Sequence, residues 1–165
     1  MDIAVQTRPV RPEDKVLFYR LWGRLSPTTV YRRFHSPLRS LPDDVVEHLV
    51  TVDHDLRDAV VAVVGGEVVG VARYDRSPTD RSTADFAVMV EDGWQGAGVG
   101  RQLVVEVTRL AARRGVRTLT ADVQADNDRI VGLIRRLLPD STFTPDPDGY
   151  AVRSPLAHSP VPADQ

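Results

Sequence analysis

"MVEDGWQGAGVGRQLVVEV", Met89 to Val107, is the stretch on which the reading of this chain turns. Gly96, Gly98 and Gly100 alternate with small residues, and a helical pattern begins at once. Glycine permits backbone angles that a Cβ forbids and lets a ligand approach main-chain amides. A helix starting there leaves its first N–H groups unpaired, at the positive end of its dipole. Together these features make a cradle for a negatively charged group, a phosphate above all.

Spacing separates the kinds of phosphate loop. A P-loop needs Gly-Lys-Ser/Thr, which this stretch lacks, and a dinucleotide fingerprint places GxGxxG in a first βα unit. Here the spacing is GxGxG, deep in the chain and after a predicted hairpin. Dinucleotide binding is a poor match, and affinity for NAD would be its signature.

Working outward, Thr83–Val90 reads as the strand that feeds the loop, with Ala84, Phe86, Val88 and Val90 on one face and Asp85, Ala87 and Met89 on the other. Before it, Ala59–Val64 and Glu67–Asp75 form a hairpin about Gly65-Gly66. After the loop, Leu103, Val107, Leu110 and Ala111 predict a helix from Gly100 to about Arg114, ended by Gly115. Arg117–Val123 is a strand, Asn127–Leu138 a helix stopped by Pro139, and Ser141–Thr144 and Tyr150–Ser154 are closing strands. Towards the N-terminus, Asp2–Pro9 is a first strand and Pro12 opens a helix running to about Leu25. Ser26-Pro27 caps and starts another to Phe34, and a third runs from the Leu41–Asp44 stretch to about Val50. The order predicts an α/β (α+β) fold, a mixed sheet flanked by helices.

The 165 residues suit one domain, expected over 1–157, with 158–165 as a disordered tail. The chain has no cysteine, which excludes disulfides, thiolate metal sites and Cys catalysis. A net charge of −2 gives no general attraction to nucleic acid or anionic membrane, so neither is expected as a partner. No apolar run reaches membrane length, and Met1-Asp2-Ile3-Ala4 does not open a signal peptide, so a cytoplasmic location is expected. Asp53-His54-Asp55 could suggest a metal, but no second cluster has ligand spacing; a solvated loop is the reading, and no metal is expected. Arg20, Arg24, Arg32, Arg33 and Arg39 read mainly as a solvated face, with an acidic surface or a phosphate as the alternative partner.

Gln95-Gly96-Ala97-Gly98-Val99-Gly100 resembles the Q/R-x-x-G-x-G/A motif of the GNAT superfamily of N-acetyltransferases, and the element order resembles the GNAT fold over nearly the whole chain. That fold has a mostly antiparallel central sheet. Further stretches, "RPVRPEDKVLFYRLWGRLSPTTVYRRFHSPL", "VDHD" and "ADFAVMVEDGWQGAGVG", resemble the branch containing bacterial protein-lysine acetyltransferases that act on acyl-CoA synthetases.

The resemblance implies acetyl-CoA as cosubstrate. Its pyrophosphate would lie on the loop from Gln95 to Gly100 and on Arg101 at the helix start, and its pantetheine arm on the main chain of Val88, Met89 and Val90. Asn127 stands where relatives contact the cofactor, although Asp126 or Asn127 could simply cap the helix. Relatives carry Glu in the central strand as general base; here the position is Asp85, one methylene shorter, with an ordinary strand-end acid as the alternative reading. The Tyr that many members place near the leaving thiolate aligns with Ile134, and the usual Gly-Phe after that helix is Leu137-Leu138. The implied activity is acetyl transfer to a primary amine, a protein lysine or a small molecule, directly within a ternary complex. The competing class is a non-catalytic acyl-CoA-binding module. GNAT domains often dimerise, so the resemblance leaves room for a homodimer that no residue here specifies.

Overall fold

The computed structural model describes residues 4–156. The predicted tail from His158, and Asp2 at the start of the predicted first strand, lie outside these residues. Strand β1 (Gln6–Pro9) leads through a 3₁₀ turn at Pro12–Asp14 into helix α1 (Lys15–Trp22), followed by α2 (Pro27–Phe34) and α3 (Asp43–Val50). The hairpin β2 (Arg57–Val64) and β3 (Glu67–Arg76) precedes β4 (Thr83–Val90), α4 (Val99–Arg113) and β5 (Thr118–Gln124). Helix α5 (Asp128–Leu137) and strands β6 (Thr142–Asp146) and β7 (Gly149–Pro155) complete the described chain.

The expected single helix from Pro12 to Leu25 is instead a 3₁₀ turn plus a shorter α-helix. Asp14 explains the tight entry: it is buried, takes paired bonds from Arg8 at 2.7 and 2.8 Å, and accepts the Arg11 amide at 2.8 Å. Gly23 caps the other end. Ser26 caps α2 as read from the sequence, its Oγ accepting the Thr29 amide at 3.1 Å.

The seven strands form one sheet in the order β1-β2-β3-β4-β5-β7-β6. Every neighbouring pair is antiparallel except β4 and β5. Alternation along the strands divides the core in two. Val60, Ala72, Ala84 and Phe86 pack with Leu103 and Val107 of α4 and Ile134 of α5. Ala59, Val61, Val71 and Met89 pack on the other face with Phe18, Leu21 and Val46, from α1 and α3. A register shift at Ala62/Val63 leaves Val69 without a partner on β2, so Val69 and Val71, two residues apart, serve opposite cores, and Val68 and Val71 share one.

The parallel pair decides where a ligand can enter. Strands β4 and β5 are paired only at Thr83–Thr118, Ala84–Leu119 and Asp85–Thr120. Beyond Asp85 they diverge, and β4 from Phe86 to Val90 has no partner on that side. No helix among the described residues is long and apolar enough to cross a membrane.

Candidate active site

Two cavities open where the strands part. The larger, about 390 Å³, is lined by Val88, Met89 and Val90 of β4, by the glycine loop, and by Asn127, Arg129 and Arg136 around α5. The smaller, about 240 Å³, is lined by Asp85, Ala87, Asp122, Val123, His35 and Ile134 among others. Arg32, Arg33, Val88, Asn127 and Ile130 line both, so the two are ends of one cleft through the sheet.

The glycine loop has the backbone its sequence implies. Gly96 and Gly98 lie at φ of 80° and 86°, in the left-handed region where an L side chain is strained. Gly98 is the N-cap of α4, and the Gln102 amide makes the first α4 bond, to Gly98 O at 3.1 Å. The amides of Val99, Gly100 and Arg101 precede that bond and are the orphan donors of the helix start. Gly100 sits at an ordinary angle, and a Cβ there would meet Leu133 Cδ2 and Val90 Cγ2 at 3.7 Å, so close helix–strand packing explains it better than strain.

Not every residue of the loop points at the cleft. The Ala97 amide closes a turn on Trp94 O at 3.4 Å, and Ala97 does not line the cavity. The Val99 side chain is buried in the core beside Leu103, leaving only its amide for a ligand. The Gln95 side chain lines the cavity but is also a strut: its Nε2 donates to Val90 O at 3.0 Å and to Thr29 Oγ1 at 3.3 Å. Val90 O is thereby engaged, whereas Val88 turns its N–H and C=O to the unpaired edge of β4; Met89, in phase with Glu91, turns its own towards Val71 of β3, so it lines the cavity without offering the edge a main-chain partner.

The cleft is ringed by cations that the sequence reading only partly anticipated. Arg101 was expected; Arg129 and Arg136 were not, and they line the cleft with Leu133 from one side of α5. Arg129 Nη1 would be 3.1 Å from a Cβ at Gly96, which places it against the loop. Arg32 and Arg33 are not a solvated face; they form the α2 wall of the cleft. Arg20 and Arg24 do lie outward, paired with Glu67 and, for Arg24, Glu91. Asn127 is the N-cap residue of α5 but makes no side-chain cap bond, and it faces both cavities instead.

Asp85 lies at the fork of the strands, its Oδ1 accepting from Thr120 Oγ1 at 3.0 Å. Desolvation in the cleft pushes its carboxyl above the ordinary range; the Thr120 bond pulls it down, and repulsion from Asp122 and Asp75 adds to the rise. Asp75 stands directly opposite on β3, tied to Arg73 by bonds of 3.1 Å. Arg73 is only 2% exposed, and its Nη1 has no partner among the described residues. Burial first, and repulsion by Arg73 second, bring the Arg33 guanidinium down to about 10, with Asp75 and Asp85 opposing. His35 also faces this cavity, held by a left-handed turn (φ 54°) that ends α2. Ile134, at the position where many GNAT members carry Tyr, is fully buried. The Asp53–Asp55 stretch is a capped loop: Asp53 Oδ1 accepts the Asp55 and Arg57 amides, and His54 pairs with Asp58 at 3.0 Å.

A split parallel pair, an unpaired strand edge, a glycine-rich helix start ringed by arginines and a carboxylate at the fork define an acyl-CoA-dependent transferase. The chain belongs to the acetyltransferase (GNAT) family, whose model matches residues 19–138. The family uses acetyl-CoA as cosubstrate, and this chain is one of its N-acetyltransferases. It is 30% identical to an acetyltransferase of Pseudomonas aeruginosa over 127 residues, covering 74% of this chain and 68% of that one. It is 33% identical over 135 residues to acetyltransferase Pat of Mycolicibacterium smegmatis, covering 79% of this chain but only 39% of that protein. Among solved structures, the GNAT domain of S. lividans PAT superposes with a TM-score of 0.80 at 25% identity, covering 92% and 89% of the two chains.

Proposed function

We propose that the chain moves an acetyl group from acetyl-CoA to a primary amine by direct transfer in a ternary complex, with Asp85 as general base. The observation that carries this is the position of Asp85: it closes the paired part of β4 and β5, where the larger cavity runs into the smaller. The Gly98–Arg101 amides, Arg129 and Arg136 would hold the pyrophosphate, and the open edge at Val88 and the Val90 amide the pantetheine arm. The thioester supplies the activated acetyl group. Neutral amine nitrogen bonds to the acetyl carbon, the C–S bond breaks, and the nitrogen's proton passes to Asp85, directly or through one water. Solvent protonates the departing thiolate, since Ile134 offers no acid. One relative's name supports a small-molecule acceptor: an L-methionine sulfoximine/L-methionine sulfone acetyltransferase of Pseudomonas aeruginosa, 35% identical over 81 residues, 47% of each chain.

The test uses acetyl-labelled acetyl-CoA with a host extract, fractionated by molecular size. Label on amines, reduced about 100-fold or more by Asp85→Asn while acetyl-CoA still binds, is the expected result. Binding without transfer to any amine would instead make the chain an acyl-CoA-binding module.

A further inference from the structure

The acceptor cavity carries a cation that the base mechanism does not use. Arg33 faces the cavity from α2, opposite Asp85 on β4. Its guanidinium makes no hydrogen bond or ion pair among the described residues, and its one ring contact is Phe34 at 4.9 Å. Asp75 and Asp85 act on it only at a distance, and a half-buried guanidinium with no anion in contact is costly to keep, a cost that natural sites relieve with a partner. The residue next to it in the field, Arg73, is buried with a free Nη1, while its other nitrogens are held by Asp75. The cavity wall therefore offers the unfilled guanidinium donors of Arg33 from α2 and the carboxylate of Asp85 from β4, while Arg73, which does not line it, adds positive field from behind.

We infer that the acceptor is a free α-amino acid, its carboxylate held by Arg33 and its α-amine presented to Asp85. This rests on the transferase reading above. A planar guanidinium matches a carboxylate in a two-pronged grip that no single amine or amide reproduces. At about 240 Å³ the cavity is smaller than the roughly 300–1,000 Å³ clefts that take drug-sized ligands, which suits a small acceptor. A lysine side chain would also enter that volume. It brings no anion, so it would leave Arg33 as unpaired as before. Phe86, Val88, Val123 and Ile130 supply apolar walls for the amino acid's side chain.

The experiment compares three acceptor sets at equal concentration with acetyl-CoA: the protein L-amino acids together with L-methionine sulfone, the matching amino-acid amides, and a lysine peptide with blocked ends. N-acetyl products are measured by mass spectrometry, then KM is measured for the best acceptor and for acetyl-CoA. Acids should be acetylated on the α-amine at least about 10-fold more efficiently than their amides. Arg33→Met should raise the acid's KM about 10- to 100-fold and erase the preference over the amide, with a much smaller change in the KM for acetyl-CoA, since Arg33 borders both cavities. Arg33→Lys should restore part of the preference, because it returns the charge without the fork. Equal use of acids and amides, transfer confined to the lysine peptide, or an Arg33→Met effect on the acetyl-CoA KM alone would overturn the assignment and leave the transferase intact. No transfer in any set, with acetyl-CoA bound, would sink the transferase reading itself.

Discussion

Asp92 is the residue on which α2 and the glycine loop are hung together. Its carboxylate accepts the Ser26 amide at 2.9 Å, Ser26 Oγ at 2.7 Å and Thr29 Oγ1 at 2.7 Å. Thr29 in turn takes a bond from Gln95, which braces Val90. Asp92→Ala removes these acceptors at once. Bonds to a charged group are worth about 1.5–3 kcal/mol when buried and less at a wet surface. With most of this cluster exposed, we take about 0.5–1 kcal/mol each, or about 2 kcal/mol in all. For a chain of this size that lowers Tm by about 4–8 °C, and the slackened α2 wall should raise the KM for acetyl-CoA severalfold. The pH dependence carries a sign. Partial burial pushes the Asp92 carboxyl up, but the Ser26 and Thr29 bonds outweigh it and hold it below the ordinary range. Such a group stabilises the fold above its unfolded pKa of about 3.9 and loses that contribution as pH falls through the lower folded value. The Tm gap between wild type and Asp92→Ala should stay constant from pH 8 to 5 and shrink below about 4. Thermal melts across that range check it; a gap under about 1 °C at pH 7, or one that widens in acid, would refute the reasoning.

Gly98→Ala puts a Cβ on a residue at φ 86° with open space around it, so only backbone strain opposes it. About 1–2 kcal/mol follows, a Tm loss of about 2–8 °C, together with a raised acetyl-CoA KM as the α4 amides shift; an unchanged melt with unchanged KM would remove the strain argument. Asp85 has the opposite pH sign to Asp92. Its raised carboxyl contributes stability that is present below the unfolded pKa and lost as pH rises through the folded one. Asp85→Asn should therefore melt higher than wild type at pH 8 while being inactive, with the difference vanishing in acid. The wild-type kcat/KM should fall on the acid side at a pH above the ordinary Asp value of about 3.9; an acid limb at or below that value would take Asp85 out of the base role.

The glycine loop was legible because its chemistry is local: positive φ and a helix start are written in neighbouring residues. Strand β4, with its faces, was legible because alternation is local too. What escaped was set by packing between distant elements. Arg32 and Arg33 look like an outward basic turn until α2 is laid over the gap between β4 and β5. Arg129 and Arg136 were invisible as a pair because their partner surface, the loop at Gly96, precedes them by a full strand and helix. Asn127 was left open between cap and ligand, and only the absence of a side-chain cap bond separates the two. Asp122 carried no signal of its own; its importance arises from β5 lying parallel beside Asp85.

That last juxtaposition gives the acceptor cavity a working logic under the proposed mechanism. Amines arrive protonated, since a lysine amine has a reference pKa near 10.4. An ammonium beside Asp85 favours its carboxylate and lowers its proton affinity, which helps binding but weakens the base. Once the amine has lost its first proton to solvent, that attraction is gone and repulsion from Asp75 and Asp122 acts again on Asp85, raising its affinity for the proton that nitrogen sheds as it bonds to the acetyl carbon. Thr120 keeps the carboxylate in place through both states. The same carboxylates thus attract the incoming cation and then help Asp85 take up the proton of the attacking nitrogen. Arg33, attracted to Asp75 and Asp85 and repelled by Arg73, limits how far the rise can go. The cofactor end has the opposite polarity, with Arg101, Arg129 and Arg136 gathered in a chain of net charge −2. The acceptor's ammonium and the cofactor's phosphates are therefore drawn to opposite ends of one cleft, and the parting of β4 and β5 is where the two substrates meet.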